Sequence, residues 1–324
     1  MKRSLAFVIP VVVLTGCVLA AFLFLRGPNA DAAGFSYDPR RAVHAAFDGN
    51  RAFAHVRAMV ELGPRPAGSE ALEKTRRYCE GILAELGWEV RRQAFDSDTP
   101  AGRIRFVNLR ARWPAAEAGP FARPVDVVLG SHYETKLYHD FVFVGANDSA
   151  SSSAALLEIA RVAAAAPEFA ERLELVFFDG EEAFGESITP HDGLYGSRFY
   201  ALQLRQAAAG MRPKAAVVLD MIGDRDLNIG LPVDTDPFLA RLLLQAAAEL
   251  GFGEFFAVGD REIIDDHTPL NLVGIPAMDI IDLDYQPYWH TAQDTLDRLS
   301  PDSLTIVGQT TLLFLEKYLL PSLD

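Results

Sequence analysis

Residues 173–182 read Leu-Glu-Leu-Val-Phe-Phe-Asp-Gly-Glu-Glu. A short, mostly apolar run stops at Asp179-Gly180, a turn signal, and delivers two adjacent glutamates. Such a run has the length and bulk of a strand buried on both faces. The neighbouring sequence repeats the pattern. Val125 to Leu129, Ala215 to Leu219 and Ile275 to Ile281 are three more short apolar strands. Helical spacing lies between them at 150–165, 194–209 and 237–250, and Pro301 to Leu319 closes the chain as a helix. Strands alternating with helices predict an α/β fold, a mixed, mainly parallel central sheet with helices on both faces. Before it, the spacing predicts helices over 39–62 and 69–86, the second stopped by Gly87. A strand pair over 88–95 and 103–113 follows, then a loop over 114–120.

Sheets of this kind do their chemistry beyond the carboxyl ends of the strands. Each strand exit here carries His, Asp or Glu. They are His132 after the first strand, Asp148 before the next helix, Glu181 and Glu182 after Phe178, Asp220 after Leu219, and His290 after the last strand. One such residue is ordinarily a helix cap or a solvated loop side chain. The whole set at successive exits points to a metal site. Imidazole and carboxylate are the nitrogen and oxygen ligands that zinc accepts, and the count suits one ion with an open position or two sharing a carboxylate. If Glu182 binds metal, its neighbour Glu181 stays free as a general base or acid. Competing chemistries lack their motifs: there is no G-x-S-x-G, no H-E-x-x-H and no P-loop.

Composition narrows the function further. Asp and Glu total 44 against 30 Lys and Arg, a net charge of −14, and no basic cluster appears, which argues against a nucleic-acid partner. Half the residues are hydrophobic, which excludes a disordered chain. Two cysteines, Cys17 and Cys79, exclude a disulfide scaffold. Lys2 and Arg3 precede an uncharged run from Ser4 to Leu25, which as a helix is about 33 Å long, enough to cross a bilayer. We therefore expect a membrane anchor over 1–26, a linker over 27–37, and one catalytic domain over 38–324 facing the periplasm or exterior. Leu14-Thr15-Gly16-Cys17 offers an alternative, a lipoprotein lipidated at Cys17.

The stretches SHYETK (131–136), GANDSA (145–150), FFDGEEAF (177–184), LDMIGD (219–224), DDHTPL (265–270) and WHTAQDT (289–295) carry a specific resemblance. The chain resembles the M28 family of zinc aminopeptidases and, within that superfamily, the glutaminyl-peptide cyclotransferases. The resemblance implies a zinc enzyme that acts on peptide or protein N-termini, converting N-terminal glutamine to pyroglutamate. It implies Asp148, Glu182 and His290 as zinc ligands and Glu181 as general acid/base. It implies Asp220 and Asp265 as an acidic pair at the active site and Trp289 as an aromatic wall of the substrate pocket. The alternative is an aminopeptidase with two metals, in which Asp148 bridges and His132 and Asp220 complete the second site. Two departures stand out. Glu134-Thr135 occupies a position where the cyclase pattern has Asp-Ser, and 185–191 lacks a tryptophan expected of animal-type cyclases. Asp192 and Arg198, flanking Leu-Tyr-Gly-Ser, are expected to pair. Oligomeric state is left open.

Overall fold

A computed structural model describes residues 35–114 and 119–324. The expected anchor, the Cys17 site and most of the linker lie outside the described residues. Among the described residues no helix is long and apolar enough to cross a membrane.

The chain enters through two short 3-10 turns, and the first helix, α1, runs only over Gly49–Glu61, later than the spacing suggests. Asp48 explains the start: its carboxylate accepts from the backbone of Asn50 and Arg51, satisfying donors that a helix end leaves free. Helix α2 (Glu70–Glu85) is capped by Ser69 and closed by Gly87, whose φ of +94° suits a residue without a side chain. An antiparallel hairpin follows, β1 (Glu89–Thr99) with β2 (Gly102–Arg112).

Then comes the alternation: β3 (Val127–His132), α3 (Ser152–Ala164), a single turn α4 (Pro167–Ala170), β4 (Leu173–Phe178), α5 (Tyr195–Gln206) and β5 (Ala215–Asp220). A small pair, β6 (Ile229–Leu231) and β7 (Phe256–Val258), brackets α6 (Pro237–Glu249). Helix α7 (His267–Leu272) precedes β8 (Ala277–Ile281), and α8 (Pro301–Leu313) runs on through a π-helical stretch into α9 (Leu320–Leu323). Proline at the first turn of α6 and of α8, behind capping Asp236 and Ser300, gives both helices firm starts.

The main sheet has the order β1-β2-β4-β3-β5-β8. The strands β4, β3, β5 and β8 are parallel, and the β1–β2 hairpin is added antiparallel at the β4 edge. Side chains alternate between two cores. Val127, Leu129, Leu175, Phe177, Val217 and Leu219 face a large cluster under α1, α2, α3, α6 and α8. Val128, Val176, Phe178 and Ala216 face a smaller one under α5 and α7. A fully buried aromatic such as Phe177 contributes about 1.5–3 kcal/mol of this packing. Chain order reverses at β3: its successor β4 lies on one side and β5 on the other. The crevice above the carboxyl ends at that reversal is where α/β sheets hold ligands.

Candidate active site

Every residue singled out at a strand exit comes to this crevice. His132 is the last residue of β3, and Asp220 is the last of β5. Glu181 and Glu182 sit on the irregular strap after β4. Asp148 sits at a kink, with an extended backbone (φ −105°, ψ 87°), in the turn Ala146–Ser151 that delays α3 to Ser152. Gly145 makes that turn possible. Its φ is +51°, and a side-chain carbon there would lie 1.9 Å from the Asp148 carbonyl oxygen. His290 follows β8 after a loop and adopts a left-handed φ of 57°, as does Met221 beside Asp220 at 47°. Non-glycine residues held there cost about 1–3 kcal/mol each, and such strain concentrates at functional sites.

The ligand-type atoms fall into two triads that share Asp148. In the first, His290 Nε2 lies 3.2 Å from Asp148 Oδ2 and 3.1 Å from Glu182 Oε1. In the second, His132 Nε2 lies 3.2 Å from both Asp148 Oδ1 and Asp220 Oδ1. One N–H cannot donate well to two carboxylates at once. Ligands about 2.0–2.1 Å from a tetrahedral zinc stand about 3.3 Å from one another, so the spacing and the donor chemistry of the first triad fit that ion. Glu181 Oε lies with His132 and Glu134 in a third grouping and outside the first triad.

A cavity of about 470 Å³ opens onto the first triad. Its polar lining includes Glu181, Asp220, Asp265 and Lys136, and its apolar lining includes Ile188, Ile263, Ile264, Leu283 and Trp289. Trp289 stacks on the His290 ring at 4.1 Å and is 43% exposed, so it stands at the cavity's edge, where Ile264 is 59% exposed. A larger cavity of about 660 Å³ near Phe35 and Phe169 shares no residue with this one and contains none of the candidate groups.

Supporting residues that the strand-exit reasoning missed are polar and buried. Asp294 accepts from the backbone of Asn147 (2.7 Å) and Asp148 (3.1 Å) and from the Tyr285 hydroxyl (2.8 Å), fixing the Asp148 turn. Arg65 donates to the carbonyls of Tyr133, Val144 and Gly145 at 2.9, 2.6 and 2.9 Å. Glu134 Oε1 accepts from the Glu181 and Glu182 backbone, and Lys136 Nζ donates to Ala183 O and lies 3.4 Å from Glu182 Oε2. Asp294 lies in the His-Thr-Ala-Gln-Asp stretch already singled out, whereas nothing in the spacing around Arg65 marks it. The expected Asp192–Arg198 pair does not form. Asp192 instead accepts from the backbone of Phe184 and Gly185 and from the Tyr195 hydroxyl, while Arg198 donates to the carbonyls of Thr189 and Pro190. Both hold the same loop without touching, because backbone groups lie closer to each.

Burial and crowding set the electrostatics. Burial, then the charge of Asp265, raises Glu181 well above the usual carboxylate range. Burial raises Asp220 to about 7 against the opposing pull of His132. Burial alone would push His290 down, but Glu182 and Asp148 outweigh it and raise it to about 10. Asp148 goes the other way: burial raises it, and the two histidines overcome that and hold it below its ordinary value. The pattern is a site rich in negative charge that favours a cation at its centre.

A mainly parallel sheet that gathers imidazoles and carboxylates at successive strand exits, in groups that could hold a metal ion, is the arrangement of zinc-aminopeptidase-like folds. The chain belongs to peptidase family M28, which matches residues 108–315. Among curated relatives, the glutaminyl-peptide cyclotransferase of Boiga dendrophila is 30% identical over 301 residues, covering 81% of this chain and 78% of that protein. A glutaminyl cyclase structure from an Acidobacteriales bacterium is 33% identical with a TM-score of 0.74, covering 89% of this chain and 98% of that one. A leucine aminopeptidase precursor structure from Bacteroides thetaiotaomicron is 25% identical with a TM-score of 0.73, covering 83% and 97%. The fold is thus the zinc-aminopeptidase-like one that the resemblance implied.

Proposed function

We propose that the protein is a zinc-dependent glutaminyl-peptide cyclotransferase, converting an N-terminal glutamine to pyroglutamate with release of ammonia. The observation that carries this reading is the floor of the 470 Å³ cavity. There Glu181, Asp220 and Asp265 line the same cavity as the Asp148–Glu182–His290 triad and stand outside that ligand set. Relatives named as cyclases, at 30% and 33% identity, support it.

Asp148, Glu182 and His290 would hold the zinc, which when bound would supply Lewis-acid chemistry beside the substrate's side-chain amide. Glu181 takes a proton from the α-amine as its nitrogen bonds to the amide carbon. It returns a proton to the amide nitrogen as the carbon–nitrogen bond breaks and ammonia leaves. Asp265, with Asp220 nearby, accepts from the amide NH₂ and orients it. Trp289 and the isoleucines of the cavity fold the flexible side chain back on itself and keep water out. Holding a ring-closing geometry supplies a large share of such a rate.

The test is product analysis. Zinc-loaded protein is incubated with one peptide beginning with Gln and one beginning with Leu, and the products are weighed by mass spectrometry. Loss of ammonia from the Gln peptide alone is expected. Release of free Leu or Gln would replace this reading with the aminopeptidase, in which Glu181 activates water instead. We also propose that the Lys2-Arg3 and Ser4 to Leu25 stretch anchors the enzyme with its catalytic domain outside the cytoplasm, with lipidation at Cys17 as the alternative. Fractionation with protease added from outside tests this; a soluble cytoplasmic product would overturn it.

A further inference from the structure

The segment leaving β3 does more than deliver His132. Two residues on, Glu134 is 1% exposed, and its Oε1 accepts from the backbone N–H of Glu181 at 2.6 Å and of Glu182 at 3.2 Å. Those two residues are the general base and a metal ligand of the proposed reaction. The strap that carries them has no helix or strand to hold it. Its carbonyls are held from the other side, where Leu194 N donates to Glu181 O and Tyr195 N to Gly180 O, both at 2.7 Å. Glu134 is therefore the acceptor that ties the strap's N–H side back to the sheet. Its own backbone is fixed in turn: its carbonyl accepts from the Ser149 hydroxyl at 2.9 Å, and the next residue, Thr135, exchanges bonds with Arg65 at 3.1 and 3.3 Å.

We propose that Glu134 is a positioning residue that sets where Glu181 and Glu182 point, and that this chain, at a position where the cyclase pattern has aspartate, requires the longer glutamate because its strap lies at glutamate's reach. An aspartate is shorter by one carbon–carbon bond, about 1.5 Å, which would take both contacts past hydrogen-bonding distance. Two buried N–H groups would then lack an acceptor, and the strap would be free to move. A displacement of about 1 Å at reacting groups costs about 100-fold in rate. A glutamine, by contrast, keeps the length and a carbonyl oxygen that can accept from both N–H groups. This inference deepens the cyclotransferase reading and rests on it only for the roles of Glu181 and Glu182.

The experiment compares the full-length wild type with Glu134→Asp and Glu134→Gln. The first readout is hydrogen exchange at the 181–182 amides in zinc-free protein, followed by mass spectrometry, which requires neither metal nor activity. We expect exchange at least tenfold faster in the Asp variant and within threefold of wild type in the Gln variant. The second is steady-state kinetics on a Gln-initiated peptide with zinc at full occupancy. We expect kcat to fall about 100-fold in the Asp variant with KM within threefold, and kcat to stay within tenfold in the Gln variant. Wild-type exchange in the Asp variant overturns the proposal. So does a Gln variant as damaged as the Asp variant, because the charge facing His132 would then be what matters. If the Asp variant does not fold, the Gln variant decides alone: a loss beyond 100-fold overturns the proposal, and retention supports it. A wild type that hydrolyses rather than cyclises would overturn the cyclotransferase reading, yet leave the exchange result standing.

Discussion

Replacing Arg65 with methionine is expected to cost about 3–5 kcal/mol of stability. Arg65 is fully buried, and its guanidinium spends its donors on three main-chain carbonyls, Tyr133, Val144 and Gly145. It thus staples the exit of β3 to the turn that carries Asp148. Burial pushes its pKa down to about 10, with the charges of Asp294, Asp148 and Glu134 opposing that shift. Each charge-assisted bond contributes about 1.5–3 kcal/mol net. The sum is an upper bound, because a carbonyl released by the mutation can accept from water that enters. Methionine fills much of the volume and restores none of the bonds. Against a total stability of about 5–15 kcal/mol this is a large fraction. Urea denaturation of zinc-free protein gives the number, and melting should fall by about 5–8 °C. Lysine at this position reaches fewer of the three carbonyls and should recover only part of the loss. A Met variant within about 1 kcal/mol of wild type would refute the stapling argument.

Gly145→Ala should destabilise the protein by at least about 2 kcal/mol, because the added carbon meets the Asp148 carbonyl oxygen at 1.9 Å and Thr135 Cγ2 at 2.7 Å with φ at +51°. It should also weaken zinc at least about tenfold in a chelator competition, since Asp148 must move; unchanged zinc affinity would contradict the role given to this turn. Asp282 tests pH linkage away from the metal ligands. Burial raises it to about 7, partly offset by hydrogen bonds from the Asn228 and Asp284 backbone. A carboxyl whose folded pKa is above its unfolded value of about 3.9 favours folding while protonated, and that advantage is lost as pH rises from about 4 to about 7. Asp282→Asn should therefore flatten the fall in zinc-free stability by up to about 3 kcal/mol between pH 4.5 and about pH 7.5, read from urea curves at those two values. Parallel curves for variant and wild type would count against it.

The sheet was legible because its strands are runs of Val, Leu and Phe buried on both faces; β4 begins and ends where its apolar run does. Errors collected where polarity and structure part company. β3 continues through Gly130, Ser131 and His132 because those residues pair with β4, although none of them reads as a strand. The first helix starts ten residues late because Asp48 caps it and two 3-10 turns occupy the expected length. The three-residue strands β6 and β7 are too short to leave a period. Site residues were legible because strand exits are fixed by topology, so His, Asp and Glu there had a reason to meet. Arg65 was not, and Asp294 and Glu134, though they fall in marked stretches, gave no sign of their supporting roles, because each is recruited by backbone N–H or carbonyl groups and that demand appears only once the loops are folded.

The most direct measurement is made on Glu181→Gln loaded with zinc. Glu181 stands outside the Asp148–Glu182–His290 triad and lines the same cavity. The variant should bind zinc with the same stoichiometry as that measured for the wild type and keep KM for a Gln-initiated peptide within about threefold. Its kcat should fall by about 10²–10⁴-fold, the usual contribution of a general acid–base group. A variant that keeps more than a tenth of wild-type kcat, or one that loses its zinc, would contradict the separation of metal ligand from proton carrier on which the account rests.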